Sequence, residues 1–148
     1  MGTETETRIA ADLKAAMKAR DAKRRGALKL LKAAIDKARI DADLDEAKVH
    51  ALIASQRKQR LEAAELYAAN GDAARKEQEE YEAALLAEYL PAQLDDAEVE
   101  ARVDAAIAAA QAEGPRDMGK VMALLAKELG GAADMKQVSA KVKARLAG

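Results

Sequence analysis

The side chains able to do chemistry in this sequence are mostly cations at helical spacing. Lys14 and Lys18 lie one helical turn apart, and Arg25, Lys29 and Lys32 continue at intervals of four and three, with Arg20 and Arg24 able to extend the row. Arg57, Lys58 and Arg60 form a third cluster. Residues three or four apart share a helix face, so each set presents ammonium or guanidinium groups in a line that can follow phosphates. Such contacts carry no base preference. The chain has no Phe and no Trp, the best stacking platforms for single-stranded bases, so a nucleic-acid partner would be a folded RNA met through shape and phosphates. The competing reading is a set of solvated helix faces.

Catalytic constellations are harder to find. With no cysteine, the chain has no disulfide, thiol nucleophile or zinc-thiolate site. The single histidine, His50, follows Glu46 by four residues and reads as half of a local ion pair. Ser55 and Ser139 have no base nearby in sequence, and neither a Gly-rich phosphate loop nor a nucleophile elbow is present. Glu77, Glu79, Glu80 and Glu82 are packed so densely that solvent exposure is expected for all four. No catalytic residue, cofactor site or metal ligand set is assigned. Residues 1–8 lack the basic and apolar regions of a secretory signal, and no window approaches the roughly 18 to 20 apolar residues of a membrane span. A cytoplasmic protein with no membrane partner is expected.

The positioning elements follow from composition. Alanine supplies 39 of the 148 residues, whereas Leu, Ile and Val together supply 27. Sheets need more bulk than this to fill their faces, so closely packed, alanine-rich helices remain. Thr3 and Glu6 have capping-box spacing before Ile9, Leu13 and Met17, which predicts a helix over 4–19. Asp21 starts a second, with Leu28, Leu31 and Ile35, to about 39; 40–44 reads as a connector. Asp43 and Glu46 form another box before a long helix to about 69, stopped by Asn70-Gly71. Asp72 caps a fourth, in which Tyr81 and Tyr89 anchor to the core, and Pro91 forces an end near Leu90. Asp95 with Glu98 opens a fifth helix to about 112, Asp117 a sixth ending at Gly130-Gly131, and Asp134 a seventh.

The expected fold is all-α, an N-terminal four-helix domain over 1–91 followed by a small C-terminal three-helix domain over 95–148. Segments 1–40, 41–60, 61–116 and 117–148 carry charges of +6, 0, -10 and +3, so a net charge of -1 hides basic ends around an acidic middle. Lys136, Lys141, Lys143 and Arg145 after the glycine pair offer a weaker helix-turn-helix match to DNA, against which stands simple complementation of the helix dipole.

Four segments in order resemble one family. They are Leu28-Lys-Leu-Leu-Lys-Ala-Ala-Ile35, the basic run Gln56–Arg60, the junction Glu88-Tyr-Leu-Pro-Ala-Gln-Leu94, and Asp117-Met-Gly-Lys-Val-Met122. Over roughly 8–147 the chain resembles the YqeY-like, or GatB/YqeY domain, proteins. These are similar to the C-terminal helical region of the B subunit of aspartyl/glutamyl-tRNA amidotransferase, which helps hold the tRNA body while other domains do the chemistry. The resemblance therefore implies a non-catalytic module that binds tRNA or a tRNA-processing protein, with Arg57, Lys58, Arg60 and Lys120 on phosphates and Lys14, Lys18, Arg25 and Lys29 extending the surface. Lys120 either meets a phosphate beside free helix N–H groups or covers a glycine, Gly119, that allows close packing. One alternative is a protein–protein adaptor without nucleic acid. Another is carbon–nitrogen ligase activity with glutamine as amido-N donor, inherited from the amidotransferase; the absence of a phosphate loop and of Ser–Ser–Lys amidase machinery argues against it. Two departures weaken the loops as phosphate contacts: Ala132 stands where members usually carry arginine, and Asp72 where arginine is common.

Overall fold

The computed structural model describes residues 2–147. Among them are seven α-helices: α1 (Glu4–Lys18), α2 (Ala22–Asp41), α3 (Glu46–Ala69), α4 (Ala73–Ala87), α5 (Asp96–Ala110), α6 (Met118–Leu129) and α7 (Met135–Ala147), with a 3₁₀ turn at Pro115–Asp117. The chain divides into two compact units, Met1–Leu90 with α1–α4 and Pro91–Gly148 with α5–α7. The fold is all-α, four helices and then three.

Short polar side chains cap α1 to α5, whereas Asp117, at the start of α6, makes no such bond. Thr3 and Glu6 form a complete capping box on α1. Asp21 accepts from the Arg24 N–H at 3.1 Å, Asp72 from Arg75 at 3.1 Å and Asp95 from Glu98 at 2.8 Å. Each such cap satisfies an orphan donor and contributes about 1 kcal/mol. The box expected at Asp43 and Glu46 does not form. Helix α2 runs on to Asp41, and Asp45 caps α3 through the Lys48 N–H at 2.8 Å. The Glu46 carboxylate is drawn instead to the start of α1, where it accepts from the Thr5 N–H at 3.2 Å.

The two N-terminal hairpins use one turn design. After α1, the Asp21 N–H donates to Ala16 at 3.0 Å and the Arg20 N–H to Met17 at 3.2 Å. After α3, Asp72 donates to Tyr67 at 2.9 Å and Gly71 to Ala68 at 3.2 Å. Both are Schellman motifs, in which a left-handed residue lets two N–H groups close back on the helix end, and in both the next residue is the aspartate that caps the following helix. Gly71 takes φ +73° without strain; in the first hairpin the left-handed position, φ +57°, is filled by Arg20. Gln111 closes α5 in the same way at φ +53°.

The first core gathers Ile9, Leu28, Leu31, Ile35, Val49, Ile53, Leu85, Leu86 and Tyr89, and the second Val99, Val103, Val121, Leu125, Leu129, Val138 and Val142. Burying each such aliphatic chain stabilises by about 1.5–3 kcal/mol. Alanine supplies close helix approach, as at buried Ala64 and Ala83 of α3 and α4. In the second unit the Gln93 side chain donates to the Gly131 carbonyl at 2.6 Å and the Leu94 N–H to Ala132 at 2.9 Å, which fixes the segment leading into α5.

Gly26 lies inside α2 with nothing within 4 Å of where a Cβ would stand. Gly26→Ala is expected to stabilise by about 0.5–1 kcal/mol, because it removes backbone entropy from the unfolded chain without a clash. A thermal melt checks this, and a lower midpoint would contradict it.

Candidate nucleic-acid interface

Helices α1 and α2 are joined by the three residues 19–21 and pack together as an antiparallel pair. Lys14 and Lys18 occupy the last two turns of α1, and Arg25 and Lys29 the first two of α2, so all four sit toward the closed end of this hairpin. All four are exposed, and none makes a side-chain hydrogen bond or ion pair with a described residue. Their neighbours are committed elsewhere. Arg24 forms a forked pair with Glu88 at 3.1 and 3.3 Å, Lys23 lies 4.3 Å from the Tyr81 ring centre, and Lys32 pairs with Asp36 at 2.9 Å. Residues 14–29 contain seven basic groups and one acid, Asp21, whose carboxylate caps α2.

The α3 cluster is divided. Arg57 is half-buried, without a partner among the described residues, and Lys58 is exposed. Arg60 turns toward α4, its Nη1 lying 3.4 Å from Glu79 and 3.6 Å from Glu82. Both carboxylates are largely covered, which corrects the expectation that all four glutamates of this run face water. Lys120, in the first turn of α6, is 68% exposed and 3.5 Å from Asp117, so part of its field is offset locally. Asp117 also accepts from the Glu113 N–H at 2.9 Å, and this bond, together with Lys120, holds its carboxyl below the usual range. Nothing approaches the Cβ direction of Gly119, so close packing is not the reason for that glycine.

The sequence matches the family model described as Yqey-like protein over residues 6–146. The chain belongs to this family. No curated protein matches it.

In this YqeY-like chain the family junction at Glu88–Tyr89 is a structural latch. The Tyr89 ring is buried and its hydroxyl donates to Asp12 of α1, while Arg8 donates to the Glu88 carbonyl at 3.2 Å and stacks 5.1 Å from the Tyr89 ring centre. Burial, then the hydrogen bond to Asp12, pushes the phenol well above its ordinary range. In the C-terminal unit Lys141 and Arg145 are not free for a DNA groove. Lys141 donates to Glu100 at 2.8 Å, and Arg145 pairs with Glu100 and Asp104, so both clamp α7 to α5.

His50 has a role that spacing alone did not reveal. Its Nε2 lies 3.2 Å from Glu46 and 3.1 Å from the Thr5 hydroxyl, which itself donates to Glu46. A hydroxyl beside an imidazole invites a nucleophile reading, but hydroxyl and carboxylate meet the same ring nitrogen, and Thr5 is 3% exposed. In a working triad the carboxylate holds the far nitrogen and the hydroxyl faces substrate. The trio therefore fastens α1 to α3. Among the described residues no group of three or more His, Cys, Asp or Glu is placed to hold a metal, and no helix is long and apolar enough to cross a membrane.

The trio has a pH signature. Burial pushes the Glu46 carboxyl up, but the Thr5 hydroxyl and N–H, with His50 beside them, hold it below its usual value overall. A depressed carboxyl contributes stability that is complete above the unfolded-state value and is lost as pH falls through the folded-state one. Between pH 6 and pH 3 the wild-type melting temperature is thus expected to fall further than that of Glu46→Gln. Parallel pH profiles would contradict this.

Proposed function

We propose that this chain is a non-catalytic, cytoplasmic RNA-binding module whose partner is tRNA, with 1–91 and 95–148 as its two domains. The observation that carries the reading is the closed end of the α1–α2 hairpin, where Lys14, Lys18, Arg25 and Lys29 stand exposed and without an acidic partner among the described residues. Cations that no carboxylate neutralises retain their full counterion-releasing effect on a polyphosphate. The resemblance of the YqeY-like family to the tRNA-holding region of the amidotransferase supports the choice of tRNA. Arg57, Lys58 and Lys120 extend the contact, and Arg60, already between two carboxylates, contributes least.

Filter binding of purified tRNA across a salt series tests this. Affinity should fall steeply with salt, the slope growing by about 0.7 to 0.9 for each phosphate neutralised. No retention at low salt would refute it.

A second reading is a protein-interaction adaptor, supported by a groove of about 200 Å³ between α2, α3 and α4, with Leu30 65% exposed at its rim. One stoichiometric protein recovered after nuclease treatment, with no tRNA affinity, would favour it. Glutamine-dependent ligase activity is the third; ammonia release from glutamine by pure protein with tRNA present would be its mark.

A further inference from the structure

We infer that Arg20 is a phosphate-contact residue, held at the tip of the α1–α2 hairpin in a backbone conformation that costs the fold stability. The inference rests on the RNA-binding reading above and names a contact that family resemblance does not supply.

The two N-terminal hairpins make the comparison internally. Each closes with the same pair of backbone bonds, and each places an aspartate next, at nearly the same angles: φ -84°, ψ 87° for Asp21 and φ -93°, ψ 81° for Asp72. One turn therefore satisfies the same backbone twice. In the α3–α4 hairpin its left-handed residue is Gly71, which has no Cβ to crowd the neighbouring carbonyl. In the α1–α2 hairpin it is an arginine at φ +57°. The turn itself gains nothing from that side chain. Arg20 is exposed and makes no side-chain hydrogen bond, ion pair or ring contact with any described residue.

Left-handed geometry alone is not the argument, because Gln111 shares it. What distinguishes Arg20 is where the strain is placed. It sits between the last turn of α1 and the first of α2, with Lys14 and Lys18 on one side and Arg25 and Lys29 on the other. A fifth cation there, also without a side-chain partner among the described residues, stands between the two rows at the turn that connects them. Its forked donors suit two oxygens of one phosphate, or one oxygen from each of two neighbours. Strain retained where a glycine would relieve it belongs with function rather than folding.

Arg20→Gly removes the charge and the strain together, so binding and stability should move in opposite directions. With tRNA as probe, the variant is expected to bind about five- to tenfold more weakly at low salt, with a salt slope shallower by about one. Its melting temperature should be about 2 to 5 °C higher than wild type. Arg20→Lys keeps the charge and the strained backbone but loses the fork; it should bind between Arg20→Gly and wild type and melt with wild type. Unchanged tRNA affinity in Arg20→Gly, with wild type binding normally, overturns this inference and leaves the RNA reading intact. A lower melting temperature in Arg20→Gly would mean that the side chain serves the turn, and also overturns it. No tRNA binding by wild type overturns both.

Discussion

Replacing Lys14, Lys18, Arg25 and Lys29 together by alanine should lower tRNA affinity by about a hundredfold or more near 0.1 M salt, and flatten the salt dependence by about three units. The fold should tolerate it. All four side chains are exposed and make no hydrogen bond or ion pair with a described residue, and alanine is the best helix former at each position. Circular dichroism and melting should stay near wild type, so a lost affinity reports the surface. The same experiment with Arg57, Lys58 and Lys120 should give a smaller loss, because Asp117 already offsets Lys120. Undiminished binding by the fourfold variant would place the interface elsewhere.

Tyr89→Ala should be the most destabilising single change in the first unit, at about 3–5 kcal/mol. The ring is 1% exposed and packs in the same core as Ile9, Leu28 and Leu86. Truncation leaves a cavity and also releases Asp12 from its phenol donor. Tyr89→Phe keeps the volume and isolates the polar part; a loss of about 1–2 kcal/mol is expected. Arg24, 4.0 Å from Asp12, limits the damage by keeping a cation near the carboxylate. Urea unfolding of the three proteins measures both, and a Phe variant as stable as wild type would show that the Asp12 bond contributes nothing.

Much of the architecture was legible because its signals are local. Asp21, Asp72 and Asp95 cap the helices they precede, Pro91 follows the end of α4, and spaced Leu, Ile and Val mark the buried faces. Asp45 was missed because Asp41, Asp43 and Asp45 alternate, and the choice among them depends on Thr5, some forty residues away, capturing Glu46. Arg60 looked like Arg57 because only the register of α3 against α4 brings it to Glu79 and Glu82. Lys141 and Arg145 were ambiguous for the same reason, since Glu100 and Asp104 belong to another helix. The hairpin cations were visible as spacing. Their lack of acidic partners was not, because that property depends on every carboxylate in the unit.

The latch between Asp12 and Tyr89 also orders events during synthesis. Seventy-seven residues separate the two groups, so at about 5–20 residues per second the ribosome delivers the tyrosine roughly 4–15 seconds after the aspartate. Until then α1 can be held through Thr5 and Glu46 at one end and by the backbone bonds of its turn into α2 at the other, while Asp12 between them has yet to meet its phenol. The middle of α1 is thus fastened to Tyr89 only when the last residues of its own unit emerge.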